Sequence, residues 1–77
     1  MKTTEYFRHV RRRPDRARIL DVWIEAAIHH PVAEKVQPDG RVQRWTFVQA
    51  EQRYLRIVLL ADRETVHNFF FDRRFKP

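Results

Sequence analysis

Between Tyr54 and Phe71 the chain reads Tyr-Leu-Arg-Ile-Val-Leu-Leu-Ala, then Asp-Arg-Glu, then Thr-Val-His-Asn-Phe-Phe-Phe, and no other stretch is as apolar. Leu55, Ile57 and Leu59 alternate with Arg56, Val58 and Leu60. The second run is β-branched and aromatic, so both halves carry the period-two signature of a pleated strand. The pattern predicts a hairpin that forms the core of the fold. Its polar insertions, Arg56, His67 and Asn68, are the places where function would show.

A chain of 77 residues makes one domain around one small core, since folding at this size removes only roughly 60–65% of the unfolded surface from water. Cysteine is absent, so neither a disulfide nor a thiolate metal site can staple it. Six Phe, two Trp and two Tyr supply the bulk instead. Met1 to Arg13 is too polar and arginine-rich for a signal peptide, and no run approaches ~18 apolar residues. The expectation is a soluble cytoplasmic protein.

In chain order, Thr3 to Val10 reads as a short strand or a strand running into a helical turn, with Tyr6 and Phe7 as its bulky residues. Arg11, Arg12 and Arg13 precede Pro14, which disfavours the helical region at Arg13 and marks a boundary. Pro14 and Asp15 suit a short helix or turn reaching Arg18. Leu20, Trp23, Ile24, Ala27 and Ile28 then recur at helical spacing, predicting a helix over 20–30 that lays its Trp23 face on a sheet and stops before Pro31. Asp21 would be its N-cap or first-turn acid. Val32 to Gln37 alternates as a half-exposed strand, Pro38-Asp39-Gly40 is a turn, and Arg41 to Val48 is the return strand. On that strand Trp45 and Phe47 share one face, opposite Val42, Thr46 and Val48, and both aromatics are expected to be buried, the alternative being that with Tyr54 they stack on unpaired bases. Short links favour antiparallel neighbours, so the predicted class is α+β: one main helix on an antiparallel sheet of about four strands, with a short N-terminal strand as an addition. An exposed edge strand on so small a sheet leaves room for a homodimer.

The formal charge is +6, from 13 Arg and 3 Lys against 10 acids. A basic domain attracts phosphodiester backbones through counterion release, and guanidinium binds phosphate bidentately. The Arg11-Arg12-Arg13 run with Arg8, Arg16 and Arg18 forms the densest patch, repeated at the other end by Arg73, Arg74 and Lys76; Arg8, Arg11, Arg12, Arg13, Arg73 and Arg74 are singled out. These are candidate nucleic-acid contacts, against the alternative of a solvated arm. If the N-terminal segment lies beside the last strand, both basic segments meet on one surface. His9, His29, His30 and His67 lack the spacing of a metal site, and no cofactor is expected. His67, in mid-strand, can serve as a general acid or base or as a hydrogen-bonded structural residue. If Arg44 and Arg56 share its face, two guanidiniums and one imidazole would suit a phosphoryl transition state. The alternative is cross-strand pairing with Glu34 or Glu51. Serine is absent, which excludes a Ser-His-Asp triad, and no glycine-rich phosphate loop exists.

His9, the Trp23-Ile24-Glu25 helix ending at His30-Pro31, the Asp39-Gly40-Arg41 turn, Arg44-Trp45, Leu55-Arg56-Ile57-Val58 and Val66-His67-Asn68 together resemble a small bacterial family. That family is similar to the BrnT-like and related domains of the RelE/ParE toxin superfamily. The resemblance implies a helix packed on an antiparallel sheet and metal-independent cleavage of RNA by basic and aromatic side chains. It also implies neutralisation by an antitoxin partner. The matching catalytic positions would be Arg44, Arg56 and His67, and more loosely His9. The chain departs from the toxin pattern in its shorter N-terminal part and in lacking a dense Lys/Tyr set. A non-catalytic module that docks nucleic acid or another protein is the alternative.

Overall fold

The computed structural model describes residues 1–77. Three helices, α1 (Glu5–Val10), α2 (Pro14–Ala17) and α3 (Asp21–His29), precede four strands, β1 (Ala33–Val36), β2 (Val42–Val48), β3 (Arg53–Leu59) and β4 (Val66–Phe71). The strands form one antiparallel meander in the order β1-β2-β3-β4, as short links require. The α+β class expected from the sequence is the observed one.

The N-terminal segment is mainly helix rather than strand. Lys2 and Thr4 pair with Val66 through the main chain, making a single parallel bridge between Thr3 and Val66. Thr4 then turns the chain into α1 because its hydroxyl accepts the Phe7 N–H at 3.1 Å, and Glu5 places an acid in the first turn. The i, i+3 spacing of Phe7 and Val10 points both inward. Pro14 opens α2, where its missing N–H costs nothing.

In α3, Ile24 and Ala27 are fully buried while Trp23 and Ile28 pack against the core. Leu20 departs from the predicted stripe: it is the non-helical residue preceding the helix and is 52% exposed. Asp21 is the first-turn acid. At the first hairpin Gly40 has φ +90°, a conformation that costs glycine little. In the β3–β4 turn, Asp62 accepts the main-chain N–H groups of Glu64 and Thr65, each at 2.9 Å, and the Thr65 hydroxyl at 2.5 Å.

Register decides which side chains meet. Leu55, Ile57 and Leu59 pair across with Val42, Phe69 and Val66, among others, and this face meets Phe7, Val10, Ile19, Ile24 and Ala27 from the helical half. The opposite face carries Trp45, Phe47, Tyr54, Arg56 and Phe70. Pairing runs Val58 to Asn68 and then Leu59 to Val66, so His67 is the extra residue of a β-bulge.

Candidate nucleic-acid interface

Strand alternation puts Arg44 and Arg56 on opposite faces of the sheet. Arg44 lies across from Ile57 on the helix side, whereas Arg56 lies across from Trp45 and Phe70 on the other. Arg44 donates to Glu34 at 2.7 Å and to the Ile28 carbonyl near the end of α3 at 2.8 Å. That hydrogen bond, with the nearby Arg63 charge, holds the Glu34 carboxyl below its ordinary range. Arg44 therefore takes the cross-strand role, and its guanidinium is occupied.

His67 is elsewhere again. Its Nδ1 lies 3.0 Å from the Thr4 hydroxyl, and its ring stacks on Tyr6 with centroids 4.8 Å apart. Burial, and then the Arg41 charge, push its pKa below 6.5. His9 is exposed on α1, beside a shallow groove lined by Glu5, Arg8 and Arg12. The four candidate catalytic residues thus do not converge. Alternation along two adjacent strands separates the arginines, and a bulge places the imidazole beside the N-terminal bridge.

The basic patch also divides. Arg11 turns inward, donating to the carbonyls of Arg16 and Ile19 and pairing with Asp21. Arg8 lies 3.9 Å from Glu5. Arg12, Arg13, Arg73 and Arg74 are exposed and form no ion pair. Arg16 of the N-terminal half and Arg73 of the tail do line a common groove.

The chemistry gathers on the sheet face that no helix covers. The guanidinium carbon of Arg56 is 4.5 Å from the centre of the Phe70 ring and 5.9 Å from that of Trp45. Its Nε is buried without a hydrogen bond, 3.5 Å from Asp72 Oδ2. That oxygen instead accepts the Trp45 indole N–H at 3.0 Å. Around Arg56 a groove of about 410 Å³ is lined by Lys35, Gln43, Trp45, Asp72, Arg74, Phe75 and Lys76. Four cations face one carboxylate, and the carboxylate is already engaged.

An aromatic row borders this groove. Phe75 stacks on Trp45 at 4.7 Å, Tyr54 meets Phe75 edge-on at 5.0 Å, and Phe47 meets Tyr54 at 5.0 Å. Trp45 is buried as expected, but beneath the tail residue Phe75 on the uncovered face rather than in the main core. Phe47, expected to be buried, is 42% exposed because nothing lies over its end of β2.

No protein-family model, curated protein or solved structure matches the chain. Chemistry must therefore be read from this face alone. Guanidinium and ammonium groups can hold phosphate oxygens, and accessible rings can stack on unpaired bases. No imidazole lines the groove, so its side chains suit holding phosphate better than moving a proton. Sequence reasoning misses Asp72, Phe75 and Lys35. The available signal was an aromatic residue inside a basic tail, Arg73-Arg74-Phe75-Lys76.

Proposed function

We propose that the chain binds single-stranded nucleic acid on the uncovered sheet face, with Arg56 holding phosphate and the Phe47, Tyr54 and Phe75 rings offering stacking surfaces. The observation that carries this reading is Arg56 itself: a guanidinium set between two aromatic rings in a groove where cations outnumber acids. Cation–π contact holds the guanidinium near the rings and leaves its outer N–H groups for an anion. The likeness to RelE/ParE-type toxins makes RNA the first ligand to test and an antitoxin the protein partner to look for. Cleavage is the weaker reading, since the proton-transfer candidates lie outside the groove.

Binding of a labelled single-stranded RNA, followed by anisotropy across a salt series, tests the proposal. Affinity should fall steeply with salt. Phe47→Ala should weaken binding by ~1–3 kcal/mol, and Arg56→Ala should weaken it further with a shallower salt dependence. An affinity flat in salt, or unchanged in both variants, overturns the reading. Metal-free cleavage by the wild type that disappears in His67→Ala would restore the catalytic alternative.

A further inference from the structure

A second cationic groove lies on the other side of Phe70, along the outer edge of β4. Asp15, Arg16, Ile19, Arg53, Phe71 and Arg73 enclose about 420 Å³ there together with Phe70. Its arginines are oriented by aromatic rings: the guanidinium carbon of Arg53 lies 3.8 Å from the centre of Phe71, and that of Arg16 lies 5.5 Å from the centre of Phe70. Arg16 is fixed further by bonds of 3.0 Å from Nη1 to the Asn68 side chain and to the Phe69 carbonyl. The one acid in the lining, Asp15, is 3.3 Å from Arg16. Arg53 pairs with Glu51, which does not line the groove, and Arg73 pairs with no acid. Three guanidiniums against one carboxylate, two of them within cation–π distance of rings, match the bidentate demands of a phosphate.

Phe70 lines the edge groove and also contacts Arg56 of the sheet-face groove. Arg16 from one and Arg56 from the other both lie within 5.5 Å of the centre of the Phe70 ring. The consecutive residues Arg73 and Arg74 diverge, the first lining the edge groove and the second the sheet-face groove. A ligand that fills both must bend around the edge of a sheet. Duplex nucleic acid, with a persistence length of ~150 bp, resists such a bend, whereas a single strand does not.

We propose that the β4-edge groove is a second phosphate seat, so that one nucleic-acid strand crosses Phe70 from the Arg56 groove to the Arg53–Arg73 groove. This rests on the sheet-face reading and adds to it a second site, a path, and a requirement for single strands.

The test uses Arg73→Ala and Arg53→Gln, with Arg56→Ala as reference and thermal melting to show that each variant folds. For a single-stranded RNA long enough to span both grooves, each edge variant should weaken binding and lower the log–log salt slope by about 0.7 for each phosphate no longer held. A very short oligonucleotide, able to fill only one groove, should be insensitive to Arg73→Ala. If Arg56→Ala weakens binding while both edge variants leave affinity and slope unchanged, the second seat is overturned and the sheet-face reading stands. If no variant matters, both fall. A duplex of equal length binding as tightly as the single strand overturns the path, and equal competition by a polyglutamate assigns the groove to acidic peptides instead.

Discussion

Trp45 and Asp72, 27 positions apart, are joined by a 3.0 Å hydrogen bond from the indole N–H to the carboxylate. The bond reaches from the middle of β2 past β3 to the residue that follows β4. Asp72 also accepts the Arg74 N–H at 3.0 Å, so one side chain ties the basic tail to the sheet. Burial raises the Asp72 pKa, but the bonds from Trp45 and Arg74 and the Arg56 charge outweigh it, and the net displacement is downward. Asp72→Ala strands the indole N–H and removes the acid nearest Arg56. The expected loss is about 2 kcal/mol, read from the urea midpoint, with a change in Trp45 fluorescence as Phe75 comes free. Asp72→Asn keeps the acceptor and should lose less.

Two acid limbs should appear in the stability of the domain, and their signs agree. His67 has a folded pKa below 6.5, so the unfolded chain binds more protons between the two values. Its contribution is complete above about pH 6.5 and declines as pH falls toward the folded value. Asp62 is held down to about 2, against an ordinary 3.8, chiefly by the Thr65 hydroxyl and then by main-chain N–H groups. Its contribution is complete above 3.8 and is lost as pH approaches 2. Melting temperature measured against pH should lose its upper limb in His67→Gln and part of its lower limb in Asp62→Asn. A profile unchanged in both variants contradicts these assignments.

Much of the fold was legible because period-two burial is a local property. Leu55, Ile57 and Leu59 face the core as their alternation requires, and the only glycine, Gly40, marks a turn that needs positive φ. The candidate site was less legible. Whether Arg44 and Arg56 share a face depends on the register between β2 and β3, which is set by turn length rather than by either strand's composition. His67 sits at a bulge, and one inserted residue cannot be seen in a run of β-formers. The triple phenylalanine reads as core, yet only Phe69 is fully buried. Phe70 and Phe71 are stacking surfaces for Arg16, Arg56 and Arg53, a pairing between distant segments that no local pattern announces. Thr4 could have been recognised as a cap from Thr-Glu before an apolar pair.

Arg16 should matter more for the edge of the sheet than for its charge. The carbonyl of Phe69 accepts Arg16, and the Phe69 N–H is covered by Asn68 Oδ1 at 2.9 Å, an oxygen that Arg16 also holds. Together they block the part of β4 that another strand would pair with. Arg16→Ala is expected to cost about 1.5 kcal/mol and to raise self-association, visible as light scattering well below the melting point. Arg16→Lys should recover little, since a lysine supplies neither the planar fork nor the stacking on Phe70.

Arg11, Arg12 and Arg13 look equivalent in the sequence, and the structure separates them sharply. Arg11 lies 5.0 Å from the ring centre of Phe69 and 5.6 Å from that of Phe7. It donates to the carbonyls of Arg16 and Ile19 and pairs with Asp21, locking the connection between α2 and α3. Burial pushes its pKa below the ordinary guanidinium range. Arg11→Ala leaves the Ile19 carbonyl without its donor, while the Arg16 carbonyl keeps the Ile19 N–H, and it loses a cation held against two rings; the expected cost is about 2 kcal/mol, which for a domain of this size lowers Tm by on the order of 10 °C. Arg12→Ala and Arg13→Ala should remain within about 0.5 kcal/mol of wild type. Any effect those two have should appear in the salt dependence of RNA binding instead. Equal melting temperatures for all three alanine variants would mean that the inward turn of Arg11 contributes nothing, and that the triplet acts only as a solvated arm.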